Sequence, residues 1–354
     1  MRDRVFRDKV FRWESILLLL VVAVLVYGAT STTGFSGSDN IAFLLLDNTE
    51  VALLALGLLP IVLTGEIDLS VASVLGFCSA LTGQLWNAGM SFETIVPIVL
   101  VAGAVLGAVN AALIVKFGLP SLAVTIGTLG LYRGLAYVVL GDGAVTGFPE
   151  NFRPLATDTV PGTFVPYATV VVIVVGALIG FVVHFTPVGR ALYAIGLGTE
   201  TSRFSGIRVD RVKMTLYVVS GVIAALASLV YTLRYNSARA DNANGLELTA
   251  VAAVLLGGVS IFGGRGTVVG VLTALLLMAG LRNVLFLNDV TNEIQNVISG
   301  LLLIVSVLVP VVTNLLRKRR HPSASPPPPS TRAQSPPDPV GAAAASGPYE
   351  EDQR

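Results

Sequence analysis

About ten stretches of nearly uninterrupted apolar sequence run through this chain, each of helical rather than strand length, and they limit the fold more than any other feature. A helix of about 20 apolar residues spans the roughly 30 Å hydrocarbon core of a bilayer, and backbone groups in hydrocarbon must be satisfied within their own segment. The expected fold class is therefore all-α, a polytopic membrane protein of about ten transmembrane helices. Composition agrees, because a chain of 354 residues that is 53% hydrophobic and only 13% charged has more apolar surface than one soluble core can bury. The spans are read at Ile16–Ala29, Ile41–Leu63, Leu69–Trp86, Ile95–Val115, Ser121–Leu140, Tyr167–Phe185, Met214–Leu233, Leu248–Phe262, Thr267–Leu287 and Ile294–Leu316. The first is read as an uncleaved span rather than a signal peptide, since no small-x-small cleavage pattern follows it and further helices do.

Loop charge gives an independent check on this path. Cytoplasmic loops collect Lys and Arg, so alternate loops should be basic. The segment from His184 to Lys213 carries Arg190, Arg203, Arg208, Arg211 and Lys213, Lys116 ends the fourth span, and Arg317, Lys318, Arg319 and Arg320 follow the last. The intervening stretch from Gly141 to Pro166 instead holds Asp142, Glu150 and Asp158 against one Arg153. Both termini are then expected in the cytoplasm. The organisation reads as a basic N-terminus (1–14), a transmembrane domain (15–316) and a Pro/Ser/Ala-rich tail (317–354) whose composition cannot bury a core and which is expected to be disordered.

Several chemistries are disfavoured. Cys78 is the only cysteine, which excludes an internal disulfide, and His184 and His321 are too badly placed for a metal site or a Ser/His/Asp arrangement. No GxxxxGK[ST] phosphate loop occurs, and the cluster Gly263-Gly264-Arg265-Gly266 lies between two spans rather than after a strand, which suits a tight cytoplasmic turn. The chain is expected to be no enzyme and to need no cofactor. A net charge of +1, with its basic residues scattered over short loops, points to no nucleic-acid partner.

Polar residues in or beside spans are informative because each costs free energy unless it faces protein or water. Asp68, Asn110, Thr125, Arg133, Glu247 and Asn283 stand out. Helix caps or interhelical hydrogen bonds would explain each; the sharper expectation is that Asn110, Thr125 and Asn283 line a polar path for a hydroxyl-rich solute. Asp68 and Ser70 at a helix start, Glu247, Gly264 and Arg265 are assigned structural or gating roles. Asp68-Leu-Ser-Val resembles Glu247-Leu-Thr-Ala, and Asn110 precedes Gly127 by the interval that separates Asn283 from Gly300, which suggests an inverted internal repeat of the kind transporters use. Small-residue spacing at Gly103/Gly107, Gly176/Gly180 and Gly266/Gly270 predicts close helix packing. In the basic loop, a helical turn or two over Glu200, Thr201, Ser202, Arg203, Phe204 and Ser205, capped by Gly206, predicts a short amphipathic helix able to dock on a soluble partner.

Three blocks resemble the permease subunits of bacterial ATP-binding-cassette importers for simple sugars, of the ribose, rhamnose and autoinducer-2 type. These are Leu63-Thr-Gly-Glu-Ile-Asp-Leu-Ser-Val71, Asn110 to Gly134 with Thr-Ile-Gly-Thr-Leu-Gly-Leu-Tyr-Arg-Gly, and Pro187 to Gly266 with Ala-Ala-Val-Leu-Leu-Gly-Gly at 252–258 and Phe262-Gly-Gly-Arg-Gly266. The likeness runs from about Ile41 to Leu316. It implies the inverted-repeat permease architecture of that importer class, a second permease copy, identical or homologous, two cytoplasmic ATP-binding subunits, and an extracellular sugar-binding protein. It also implies that Glu200 to Gly206 couples ATPase closure to the transport path. Glu66 departs from the pattern, which usually has Gly there. The competing expectation is an ion-coupled secondary carrier, with Asp47 and Glu50 as the best buried relay carboxylates.

Overall fold

The computed structural model describes residues 2–291, 293–298, 300, 301, 304 and 308. The expected tenth span, Ile294–Leu316, falls largely outside the described residues, and His321 and the tail 317–354 lie entirely outside them. Among the described residues the chain is a helical membrane bundle, and up to residue 287 its helices are α1 (Arg2–Ser31), α2 (Ser38–Asp47), α3 (Thr49–Leu63), α4 (Val71–Asn87), α5 (Phe92–Val115), α6 (Ser121–Leu140), α7 (Pro154–Thr157), α8 (Tyr167–Phe185), α9 (Pro187–Leu197), α10 (Thr199–Phe204), α11 (Val209–Tyr235), α12 (Leu246–Leu256) and α13 (Val268–Leu287), with residues 293–298 helical after them. Two short strands, β1 (Val145–Thr146) and β2 (Ser237–Ala238), pair antiparallel at one end.

Among the described residues, six helices are long and apolar enough to cross a membrane, and a seventh span results if α2 and α3, bent by 41° at their junction, count as one. The sequence count of about ten treats every apolar run as a full span, and that needs correction at Leu248–Phe262. There α12 has only 11 residues, roughly 16 Å of helix against a core of roughly 30 Å, so it cannot cross alone. Its continuation is a turn centred on Gly263–Gly266. The run Leu69–Trp86 likewise starts with irregular chain and becomes helix only at Val71.

The centre of the bundle is α3, all of whose residues are buried, as expected of a helix apolar on every face. Helices α11, α12, α8 and α13 surround it. Helices α5 and α11 approach closely, and the predicted small-residue spacing makes room for it. A Cβ on Gly103 would lie 2.4 Å from the Gly221 carbonyl oxygen, and one on Gly107 would lie 2.2 Å from that of Tyr217. Backbones touching at these points gain dispersion contacts along two full spans, the main attraction between helices where lipid is as apolar as Leu. Gly270 packs against the Gly257 carbonyl in the same way, while Gly176 and Gly180 make only ordinary contacts.

Candidate coupling face and translocation path

Two irregular segments interrupt the bundle at the same end. One links α3 to α4 through residues 64–70; the other links α12 to α13 through residues 257–267. The Gly264 amide donates to the Leu63 carbonyl at 2.8 Å. Gly65 and Gly263 both adopt positive φ (82° and 77°), which removes the steric cost that a side chain would impose. The C-terminal end of α9 closes the junction, since a Cβ on Gly196 would lie 2.1 Å from the Leu63 oxygen and 2.2 Å from the Gly264 nitrogen. Three backbones thus meet with no room for a methyl group.

Directly after α9 comes α10, the short helix expected over 200–206. It starts after Gly198 and stops at Ser205, with Gly206 at φ 83° accepting the reversal that ends it. Ser202 is buried beneath it, while Phe204 is 91% exposed. Arg203 reaches Asp210 in the first turn of α11 at 2.6 Å. Phe262 (82% exposed) and Leu197 (73% exposed) present further apolar surface at this end. Glu200, Thr201, Arg203, Ser205 and Gly206 are exposed.

Behind the junction, a chain of polar contacts holds residues 64–70 in place. Ser70 donates both its amide (2.9 Å) and its hydroxyl (2.6 Å) to Asp68 Oδ1. Asn110 Nδ2 donates to the Ser70 hydroxyl at 2.7 Å, and Tyr132 donates to Asn110 Oδ1 at 3.0 Å. From α6, Ser121 accepts the Ile67 amide and Thr125 donates to the Ile67 carbonyl, both at 3.3 Å. Irregular backbone inside a membrane protein needs such partners. Asn110 and Thr125, expected along a solute path, are here fully buried with their polar atoms engaged by protein. Glu66, the departure from the family pattern, pairs with Lys213 on α11, the two side chains only 18% and 13% exposed. A sequence reading had no means of finding that partner.

Asn283 sits at the opposite end. It exchanges two hydrogen bonds of 2.9 Å with Asn40 and is buried, so it too binds helix to helix rather than facing open space. Of the two motifs alike in sequence, Asp68 lies beside the glycine junction and Glu247 in the first turn of α12. Gly264 is part of the junction, and the Arg265 carbonyl accepts from the Ser260 amide at 2.9 Å, closing the turn. Arg133 crosses to the far loop and donates to the carbonyls of Ala240 and Asn242, both at 2.7 Å. At the α2–α3 bend, Arg234 is held by Asp47 (2.8 Å) and Glu50 (3.1 Å), so both carboxylates that a proton relay would need are ion-paired.

A family model described as the branched-chain amino acid transport system / permease component matches residues 40–307. The chain belongs to this permease family. Among curated relatives, the permease is 31% identical over 307 residues to the autoinducer 2 import system permease protein LsrD of Photorhabdus luminescens, covering 84% of this chain and 90% of that one. It is 32% identical over 297 residues to the ribose import permease protein RbsC of Haemophilus influenzae, covering 83% and 90%. The LsrD protein of Enterobacter sp. (strain 638) is 33% identical over 303 residues, covering 84% and 92%. No solved structure matches the permease. The matched range contains both irregular segments, α9, α10 and the Arg133 contacts, so the site belongs to the shared part of the chain.

Proposed function

We propose that this permease is the translocation subunit of an ATP-binding-cassette importer for a monosaccharide, ribose-like or rhamnose-like, and that it works by alternating access powered by ATP hydrolysis on a separate subunit. The observation that carries this reading is the continuity of α10, α9 and the glycine junction. An exposed docking helix is followed backwards, through Gly196, into the contact between the two interrupted spans. A push on α10 cannot be absorbed by soft side chains at that point, because three backbones touch there and packed interiors transmit displacement. The names of the relatives supply the solute class, a pentose in one and a signal molecule in others.

The end carrying α10 also carries Lys116, Arg190, Arg208 and Arg211, whereas Asp142, Glu150 and Asp158 lie by the β1–β2 ribbon. The positive-inside rule then assigns α10 and the N-terminus to the cytoplasm, and the ribbon end to the outside, where a solute-binding protein would deliver sugar. Two ATP-binding subunits would occupy the cytoplasmic face. A second permease copy, identical or homologous, fits the membrane face of α6, where Gly127, Gly130 and Gly134 lie open with nothing near their missing Cβ atoms. Replacing Arg203, Phe204 and Ser205 together by alanine tests the coupling role: sugar uptake and co-purification of the ATP-binding subunit should both fall. If neither changes, α10 is not the coupling element.

A further inference from the structure

At the end opposite α10, α11 runs into a loop, residues 236–245, that forms one wall of a cleft of about 510 Å3 lined by Tyr231, Tyr235, Arg239, Asp241 and Asn242 among others. That volume admits a monosaccharide, and the cleft is shallow and open to solvent, which suits a weakly held solute. We propose that this cleft is a low-affinity subsite for a neutral polyhydroxylated solute of monosaccharide size. The inference rests on the importer reading above and deepens it by naming where the solute is held.

Chemistry in the cleft selects the solute class. Arg239 and Asp241 form a two-point fork, Nε to Oδ1 at 2.8 Å and a terminal nitrogen to Oδ2 at 3.1 Å. A guanidinium has five N–H donors and a carboxylate about four acceptor sites, so the two-bond fork leaves about three donors and about two acceptor sites unspent. Because the charges of the pair cancel, the fork offers no net attraction to an anion or a cation, whereas hydroxyl groups can add to it as donors and acceptors together. The same hydrogen bonding from Arg239 holds the Asp241 carboxyl below the ordinary carboxylate range, which keeps it an acceptor in mildly acidic surroundings. Tyr231 and Tyr235, one helical turn apart with ring centroids at 4.5 Å, supply the aromatic surface on which the C–H face of a sugar ring rests. Arg234 lies over the Tyr235 ring at 4.8 Å and fixes its orientation.

The loop is also held in a shape it would not choose. Asn236 and Ala243 both sit at positive φ, 47° and 61°, and an alanine there is uncommon and strained. The restraints that impose this are partly shielded from solvent. Arg133 clamps the Ala240 and Asn242 carbonyls from below, Asn242 donates to Ser79 at 2.8 Å and to the Ser237 carbonyl at 3.2 Å, and Asn236 accepts the Phe148 amide at 3.0 Å. The half-buried Arg133 and the positive φ of Ala243 together hold the loop in one shape. That suits a solute site, since pre-organisation lowers the cost of binding.

The test uses the full chain in lipid nanodiscs and saturation-transfer-difference NMR with D-ribose and L-rhamnose, with L-leucine as the zwitterionic comparison that lacks hydroxyl groups. Saturation should reach at least one sugar and not leucine. Tyr235→Ala and Asp241→Asn should each weaken the signal by about tenfold, the effect of losing one contact to an ionised or aromatic partner, while Tyr235→Phe retains it. Equal thermal midpoints for the variants show that they are folded. Full sugar signal in both Tyr235→Ala and Asp241→Asn, no signal from either sugar, or a stronger signal from leucine would each overturn the proposal. Uptake by cells separates this from the broader reading. Permease-dependent sugar uptake that is unaffected by the cleft variants sinks the subsite and leaves the importer standing; absence of any permease-dependent sugar uptake sinks the importer.

Discussion

The Leu63 carbonyl oxygen accepts the Gly264 amide at 2.8 Å, so the ends of two interrupted membrane segments, distant in sequence, share one hydrogen bond. Gly196 lies against that same oxygen. Adding a methyl group by Gly196→Ala would place carbon 2.1 Å from it, well inside contact distance, and α9 would have to move. Overpacking of this kind costs about 1–3 kcal/mol. The expected result is a lowered thermal midpoint in detergent and uptake reduced more than the amount of folded protein. A variant with unaltered midpoint and uptake would mean that the junction has slack.

Glu66 and Lys213 offer a second test, because the pair ties the irregular segment after α3 to the start of α11, just beyond α10. Glu66→Gly restores the residue usual in the family pattern but leaves Lys213 without its partner. Each single change, Glu66→Gly or Lys213→Ala, is expected to destabilise, and the double change less than their sum, with a coupling of about 1 kcal/mol. A double-mutant cycle on thermal midpoints measures it. Strict additivity would show that the two charges act independently.

Much of this architecture was legible in the sequence, for reasons that can be named. Hydrophobic run length located the helices, and Gly206 closing a short polar stretch located α10 within a residue or two, because both signals are local. Small-residue spacing correctly marked Gly103 and Gly107, yet the same spacing at Gly176 and Gly180 brings no close approach; the pattern permits contact but cannot say which helix is opposite. Asn110, Thr125 and Asn283 were singled out because polar atoms in spans need partners, and that need is indeed met. Whether a partner is solute or protein depends on tertiary neighbours: Ser70 for Asn110, Ile67 for Thr125, Asn40 for Asn283. Glu66 and Lys213 are 147 positions apart, and the Arg133 contacts cross more than 100, so neither leaves a trace in local pattern. Span counting failed at α12 because apolar length does not reveal a turn placed halfway.

Asn110 separates a structural role from a solute-contact role. Asn110→Ala removes the donor to Ser70 and one of the two acceptors in reach of Tyr132, which keeps the Leu106 carbonyl at 2.9 Å, and the lost buried hydrogen bonding is worth about 1 kcal/mol. The variant is expected to lose stability, with the solute concentration for half-maximal uptake little changed in whatever protein remains. Unchanged stability together with a raised half-maximal concentration would return Asn110 to the solute path.

Arg234 decides the contest with an ion-coupled carrier. Its guanidinium is buried with Glu50 and shared with Asp47 at the α2–α3 bend. If the cluster is structural, Arg234→Met strands the buried Glu50 carboxylate without a counter-charge, while the partly exposed Asp47 keeps its access to water, and the loss is expected to be about 3 kcal/mol. Neutralising all three, Arg234→Met with Asp47→Asn and Glu50→Gln, should restore most of that loss and leave ATP-dependent uptake in place, because shape is kept and no buried charge lacks a partner. A relay demands the opposite, since Glu50→Gln alone would remove the proton carrier and abolish uptake driven by an imposed pH gradient. Uptake by proteoliposomes of the Glu50→Gln and triple variants, with ATP and the partner subunits in one arm and a pH gradient in the other, distinguishes the two. Retained ATP-driven uptake fits an ion cluster that fastens the bend of α2–α3 to α11, and loss confined to the pH-gradient arm would make the carboxylates carriers of protons.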